Sequence, residues 1–153
     1  MRWLETLIPP PIVALAIGIA AWLAAPSATA ALPSLSLRLP LGLAIALTGG
    51  GIAAAGSRAF KRARTTVNPL RPEKASALVT DGIYARTRNP MYVGLMFALL
   101  GVAAWLWWLP ALLGPIAFAV YITRFQIQSE EQVLRKKFGA EYEQYCRRVR
   151  RWV

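Results

Sequence analysis

Leu78-Val-Thr-Asp-Gly-Ile-Tyr-Ala-Arg-Thr-Arg-Asn-Pro-Met-Tyr-Val-Gly94 is where a polar, basic, turn-rich segment of this chain runs directly into an apolar one. Asp81-Gly82 is a turn signal, and Pro90 biases Asn89 away from the helical region while itself suiting the first helical turn. Met91 then opens a long hydrophobic run. The stretch therefore reads as a helix entrance at which two tyrosines, two arginines and an asparagine are gathered.

Outward from that entrance, the apolar residues come in long blocks rather than in short periodic sets. With 56% hydrophobic residues in 153, this pattern points to lipid rather than to a water-soluble core, and to an all-α polytopic membrane protein forming one domain over residues 1–153. Four spans are expected, roughly 7–25, 39–55, 91–108 and 110–127, each about long enough to cross a bilayer core. The first is entered through Pro9-Pro10-Pro11, tolerable only at a helix start. Arg2 before this block and Ala24 to Ala30 after it also fit a cleavable signal peptide, but Glu5 and the three prolines favour a retained span. The second carries Gly42, Gly49, Gly50 and Gly51, assigned here to close helix packing. The third and fourth meet at Leu109-Pro110, a connection short enough to force an antiparallel hairpin with Trp105, Trp107 and Trp108 as an aromatic belt at its tip.

The formal net charge is +11, yet the basic residues lie beside the apolar blocks. Arg58, Lys61, Arg62, Arg64, Arg71, Lys74, Arg86 and Arg88 crowd the 57–89 segment against only Glu73 and Asp81. This matches the flanking charge of a cytoplasmic membrane face and makes nucleic acid a poor partner. Four spans with this loop and both termini on the cytoplasmic side of the inner membrane satisfy topology and charge together. The loop is too rich in turn and β-branched residues for one helix. Beyond residue 129, Leu134, Phe138, Tyr142, Tyr145 and Val149 form one amphipathic stripe over C-terminal helices at 129–150, with Gly139 expected to interrupt it. Glu131 with Arg135 and Glu143 with Arg147 are spaced as exposed i,i+4 pairs worth roughly 0.2 to 0.5 kcal/mol each.

No histidine and a single cysteine, Cys146, are present. Imidazole bases, histidine metal sites, Cys-x-x-Cys redox centres and internal disulfides are thereby excluded, and no metal site is expected. Reactivity in such a chain has to come from a cofactor that carries its own electrophile.

Leu78-Val79, Gly82, Tyr84 and Asn89-Pro90-Met91-Tyr92-Val93-Gly94 resemble the signature of the integral-membrane methyltransferases that include isoprenylcysteine carboxyl methyltransferase and the phospholipid N-methyltransferases. A second element of that family, Glu-Glu-x-x-Leu followed by Phe-Gly-x-Glu-Tyr-x-x-Tyr, is matched by Glu130-Glu131-Gln132-Val133-Leu134 and by Phe138 to Tyr145. The two elements occur in the family's order and spacing over about the C-terminal half. The resemblance implies S-adenosylmethionine as cofactor and a lipophilic or membrane-associated acceptor carrying a carboxylate, amine or thiol.

By the same resemblance, the cofactor contacts fall on Ser76, Ala77, Leu78, Val79, Tyr84, Asn89, Pro90, Met91, Tyr92, Glu130 and Glu131, with Glu130 preferred as ligand and Glu131 as its neighbour. Leu78 and Val79 offer an apolar wall to an adenine. Tyr84 and Tyr92 offer aromatic faces to a sulfonium, worth about 0.5 to 2 kcal/mol. Asn89 and Ser76 stand where relatives carry histidine, and Gln126 where carboxyl-methylating relatives carry an arginine. Arg88 and Arg124 remain as groups able to position an anionic substrate. Glu130 and Glu131 also suit a solvated helix start favoured by the macrodipole, and Arg88 a lipid-phosphate anchor. A non-catalytic four-helix membrane protein, a transport or assembly subunit, is the alternative; the absence of an ionisable group from the span interiors weighs against ion-coupled transport.

Overall fold

A computed structural model describes residues 8–26, 34–63 and 77–153. Every regular element among them is helical. Helix α1 runs Pro10–Ala24, α2 Leu35–Arg62, α3 Pro90–Leu106, α4 Leu113–Ile122 and α5 Gln128–Arg148. A 3-10 turn at Gly82–Ala85 precedes α3, a second at Leu109–Leu112 leads into α4, and a π-helical turn at Thr123–Ile127 joins α4 to α5. Two helical runs are long and apolar enough to cross a membrane, α2 with 28 residues and the continuous stretch Leu109–Arg148 with 40. The shorter α1 and α3 are apolar as well.

Prolines set the starts of α1 and α3, where their missing N–H is one of the orphans any helix start leaves. The largest departure from the sequence expectation is in α2, which extends beyond 39–55 at both ends, so residues 57–62 are helix and not loop. Lys61 and Arg62 occupy its last turn, where positive charge complements the helix dipole instead of ending the helix. The remainder of the expected loop, up to Ser76, lies outside the described residues.

Two rows of glycine account for the packing of α2 on α3. Gly42 and Gly49 on α2 recur at a step of seven, as do Gly94 and Gly101 on α3. Gly42 meets Gly101 and Gly49 meets Gly94: a Cβ built on Gly94 would lie 2.6 Å from the Gly49 carbonyl oxygen, and one on Gly101 2.6 Å from that of Gly42. Both rows face each other at backbone distance, as small-residue faces do in lipid. The α2 row continues to Gly56, whose missing Cβ makes room for Pro90 and Met91. Gly50 and Gly51, also expected to pack, face open space.

The π-helical turn carries the fourth span, expected at 110–127, directly into the C-terminal helix expected from 129. An extra residue is absorbed within the helix, and Gln126 and Ile127 are turned inward. Gly139 does interrupt α5, at φ 49° and ψ −122°. The expected stripe is also present: Tyr142, Tyr145 and Val149 form a buried cluster with Leu78, Leu134, Phe138 and Cys146 packed against it. A second cluster joins Ala14, Tyr92, Leu99, Phe118, Ile122 and Ile127, with Trp152 packed on it. The chain after α5 is therefore folded back against the start of α3.

Candidate active site

The entrance to α3 is shaped by local backbone chemistry. Gly82 takes φ 57°, a left-handed conformation costly for side chains other than glycine. It opens the 3-10 turn that buries Tyr84. Tyr145 Oη donates to the Tyr84 carbonyl at 2.8 Å, and the ring of Phe60 meets that of Tyr84 edge-on at 5.2 Å. The Asn89 carbonyl accepts from the amides of Tyr92 and Val93 at 3.0 Å each, closing the first turn of α3.

From that turn Tyr92 reaches across to the second sequence element. Its Oη donates to Glu130 Oε1 at 2.6 Å, and Gln126 Nε2 donates to the same oxygen at 2.6 Å. Glu130 Oε2 accepts no hydrogen bond from the described residues. Tyr84 is 5% exposed and lies close enough to Glu130 and Tyr92 for their charges to influence one another, while its own hydroxyl has no partner among the described residues. A carboxyl, a phenol and a carboxamide are thus hydrogen-bonded together where α3 and the π turn meet, with the Tyr84 phenol within electrostatic range of them. Glu130 lies beyond the apolar part of its helix, and burial pushes its carboxyl from 4.5 up to about 7; the hydrogen bonds from Tyr92 and Gln126 oppose this and the charge of Glu131 adds to it. Burial first, and then Tyr145 and Glu130, raise the Tyr84 phenol well above its ordinary value, so it stays protonated at neutral pH.

Glu131 is turned elsewhere. It is 5% exposed and held by two guanidiniums: Arg151 Nε donates to Oε1 at 2.9 Å and Nη2 to Oε2 at 2.8 Å, and Arg88 Nη2 lies 3.3 Å from Oε1. Neither expected i,i+4 pair forms among the described residues, because Glu131 faces inward; Arg135 instead lies 3.6 Å from Glu143 across the Gly139 bend. Arg88 also donates to Cys146 Sγ, so this expected substrate-positioning cation is engaged within the fold. The arrangement is a clasp. The Arg88 amide donates to the Arg150 carbonyl at 3.0 Å, Asn89 Nδ2 to the Arg151 carbonyl at 2.8 Å, and Thr87 Oγ1 to the same carbonyl at 3.4 Å.

The expected site residues consequently divide. Tyr84, Tyr92 and Glu130 are brought together; Asn89 and Glu131 are committed to the C-terminal segment. Val79 is buried, whereas Leu78 packs on the Tyr142 and Tyr145 cluster. Ala77 is half-buried at the edge of the described residues, and Ser76 lies outside them. Pro90 is buried against Gly56, and Met91 Sδ accepts from Ser57 Oγ at 3.5 Å. Arg124 is exposed, its guanidinium carbon 5.6 Å from the Phe125 ring centroid, and belongs to neither cluster. Arg151 and Tyr145 had no local sequence signal as partners; an apolar stripe identifies Tyr145 as core, and nothing distinguishes Arg151 from the other basic residues nearby. An open groove of about 570 Å³ at the Gly139 bend, lined by Arg135, Gly139, Ala140, Glu143, Gln144 and Arg147, shares none of these residues.

The described residues thus form apolar helices, two of the helical runs long and apolar enough to cross a membrane, with a small polar cluster at the junction of two helices. The chain belongs to the phospholipid methyltransferase family, whose model matches residues 37–141; this is a family of S-adenosylmethionine-dependent membrane methyltransferases. It is 35% identical over 91 residues to protein-S-isoprenylcysteine O-methyltransferase B of Arabidopsis thaliana, covering 58% of this chain and 45% of that protein. It is 38% identical over 79 residues to the protein-S-isoprenylcysteine O-methyltransferase of Schizosaccharomyces pombe, covering 50% and 32%. An uncharacterized protein of Haemophilus influenzae is 46% identical over 63 residues, 41% of this chain and all of that protein. The chain thus spans less than half the length of the two isoprenylcysteine methyltransferases. No solved structure matches it.

Proposed function

We propose that this chain is an S-adenosylmethionine-dependent methyltransferase of the inner membrane, acting on a lipophilic or membrane-associated acceptor, with residues 1–153 as one domain, four spans and both termini cytoplasmic. The observation that carries this is the hydrogen bond from Tyr92 to Glu130, which unites the two family elements in one polar cluster.

The cluster fits a cationic cofactor. Its one ionisable acid has an oxygen, Oε2, that accepts no hydrogen bond from the described residues, the phenol of Tyr84 has no partner among them, and the nearby arginines Arg88 and Arg151 are held by Glu131. When bound, S-adenosylmethionine supplies an electrophilic methyl group and leaves as S-adenosylhomocysteine. Glu130, Tyr84 and Tyr92 would hold its positive end, with Val79 and Ala77 beside them and Pro90 and Met91 fixing the turn. Asn89 and Glu131 support the site from behind, as anchors for the C-terminal segment. Burial keeps water from screening these few polar groups. Arg124, exposed and unencumbered by the clasp, is the cation left to steer an anionic headgroup.

Calorimetric titration of detergent-purified protein with S-adenosylmethionine tests this directly. Tyr92→Ala removes the donor to Glu130 and is expected to weaken binding roughly ten- to a hundredfold. Wild-type protein that binds no S-adenosylmethionine refutes the proposal.

A further inference from the structure

What surrounds Glu130 bears on the chemistry of the acceptor. The described groups around it are Tyr92 from α3 and Gln126 from the π turn, both hydrogen-bonded to its Oε1, with Tyr84 from the 3-10 turn and Glu131 from its own helix within electrostatic range. All are neutral donors except Glu131, and Glu131 is itself neutralised by Arg88 and Arg151. No described cation forms an ion pair with Glu130. A carboxylate acceptor would therefore enter a site whose own carboxyl repels it, with no cation among the described residues paired to that carboxyl. A neutral X–H nucleophile meets the opposite condition, an acid group with an oxygen to spare.

On the methyltransferase function proposed above, we infer that Glu130 is the proton acceptor of the reaction, and that the acceptor is a neutral nitrogen, sulfur or oxygen nucleophile bearing a proton rather than a carboxylate. Glu130 Oε2 takes the proton from X as the X–CH3 bond forms from the lone pair on X and the C–S bond breaks, its electron pair staying on sulfur. Charge in the site is conserved throughout. Glu130 is ionised while it faces a sulfonium, and becomes protonated as that positive charge passes to X. Gln126 is the residue that permits this. A carboxamide orients Glu130 Oε1 without holding the carboxyl permanently ionised, as a guanidinium in its place would.

The test is proton linkage, read by titration calorimetry on the full-length protein in buffers of differing ionisation enthalpy. Binding of S-adenosylmethionine is expected to release a proton fraction that grows as the pH falls from 8 toward 6. S-adenosylhomocysteine, whose sulfur is uncharged, is expected to release far less. Glu130→Gln should abolish the difference. Gln126→Arg, which keeps the carboxylate but ionises it in advance, should abolish it too while retaining binding, and so covers the case in which Glu130→Gln does not fold. With labelled methyl donor, matched lipophilic amine, thiol or alcohol acceptors should exceed the carboxylate by about tenfold or more in kcat/KM, and Gln126→Arg should narrow that gap. Equal proton release with both ligands, release surviving in both variants, or preference for the carboxylate overturns the inference while leaving a methyltransferase. Failure to bind either ligand overturns the methyltransferase function itself.

Discussion

Replacing Arg151 with glutamine isolates the clasp that binds the C-terminal segment to the entrance of α3. In the wild type Glu131 is reached by three N–H groups, two from the fork of Arg151 at 2.9 and 2.8 Å and one from Arg88 at 3.3 Å. Charge-assisted hydrogen bonds contribute about 1.5 to 3 kcal/mol each when buried. The Arg151 side chain is 34% exposed, so water replaces part of what is lost. Arg151→Gln is therefore expected to cost about 2 kcal/mol. Glu131→Gln should cost more, about 3 to 5 kcal/mol, because it leaves the 12%-exposed Arg88 and Arg151 facing each other without a counter-charge. The double variant should cost less than the two single variants added together, since the second change relieves an unpaired charge that the first creates. Thermal unfolding in detergent, followed by the fluorescence of Trp152 and the other tryptophans, gives the four corners of this cycle. Strict additivity, or an Arg151 variant as damaged as the Glu131 variant, refutes the clasp. So does a Glu131→Gln protein of unchanged stability that fails to bind S-adenosylmethionine, since Glu131 would then be a ligand.

Three further outcomes are expected. Glu130 binds its proton more tightly when folded, about 7 against 4.5, so the folded chain holds a proton that the unfolded chain loses across that window. Stability should be greatest below pH 4.5, as far as this group is concerned, and should decline by about 3 kcal/mol as pH rises through 7; Glu130→Gln should flatten the dependence in a pH series of unfolding midpoints. Gly49→Leu should disrupt the α2–α3 contact and lower the yield of folded protein, whereas Gly50→Leu, one residue away and facing open space, should be tolerated in the same expression assay. Reporter fusions at Pro33 and after Trp108 should signal the periplasm, and fusions at Lys74 and Val153 the cytoplasm; a cytoplasmic signal at Pro33 contradicts four spans.

Much of the helical framework was legible without coordinates, because a membrane simplifies the code. An apolar block long enough to cross lipid must satisfy its backbone internally, so block lengths and prolines alone locate α1, α3 and α4. The α5 stripe from Leu134 to Val149 was legible for a related reason, its spacing being a property of one helix. Pairing between α2 and α3 was only half legible: four adjacent or repeated glycines mark close packing, but which of them face a neighbour depends on that neighbour's own glycines. Gly49 meets Gly94, and Gly50 meets nothing.

The polar cluster depended most on tertiary structure. Sequence singled out Tyr84, Tyr92 and Glu130 through two motifs separated by almost the whole of two expected spans, yet two adjacent glutamates carry no local sign of which is bound by arginine. The π-helical turn at Thr123–Ile127 and the fold-back of the chain after Arg148 decide that. Together they set Glu130 against Tyr92 and Gln126 and bury Glu131 between Arg88 and Arg151. Helix content follows from interactions within a few residues of each other; the choice between two neighbouring carboxylates follows from charges 43 and 20 positions distant in the chain, which only the folded molecule brings within hydrogen-bonding reach.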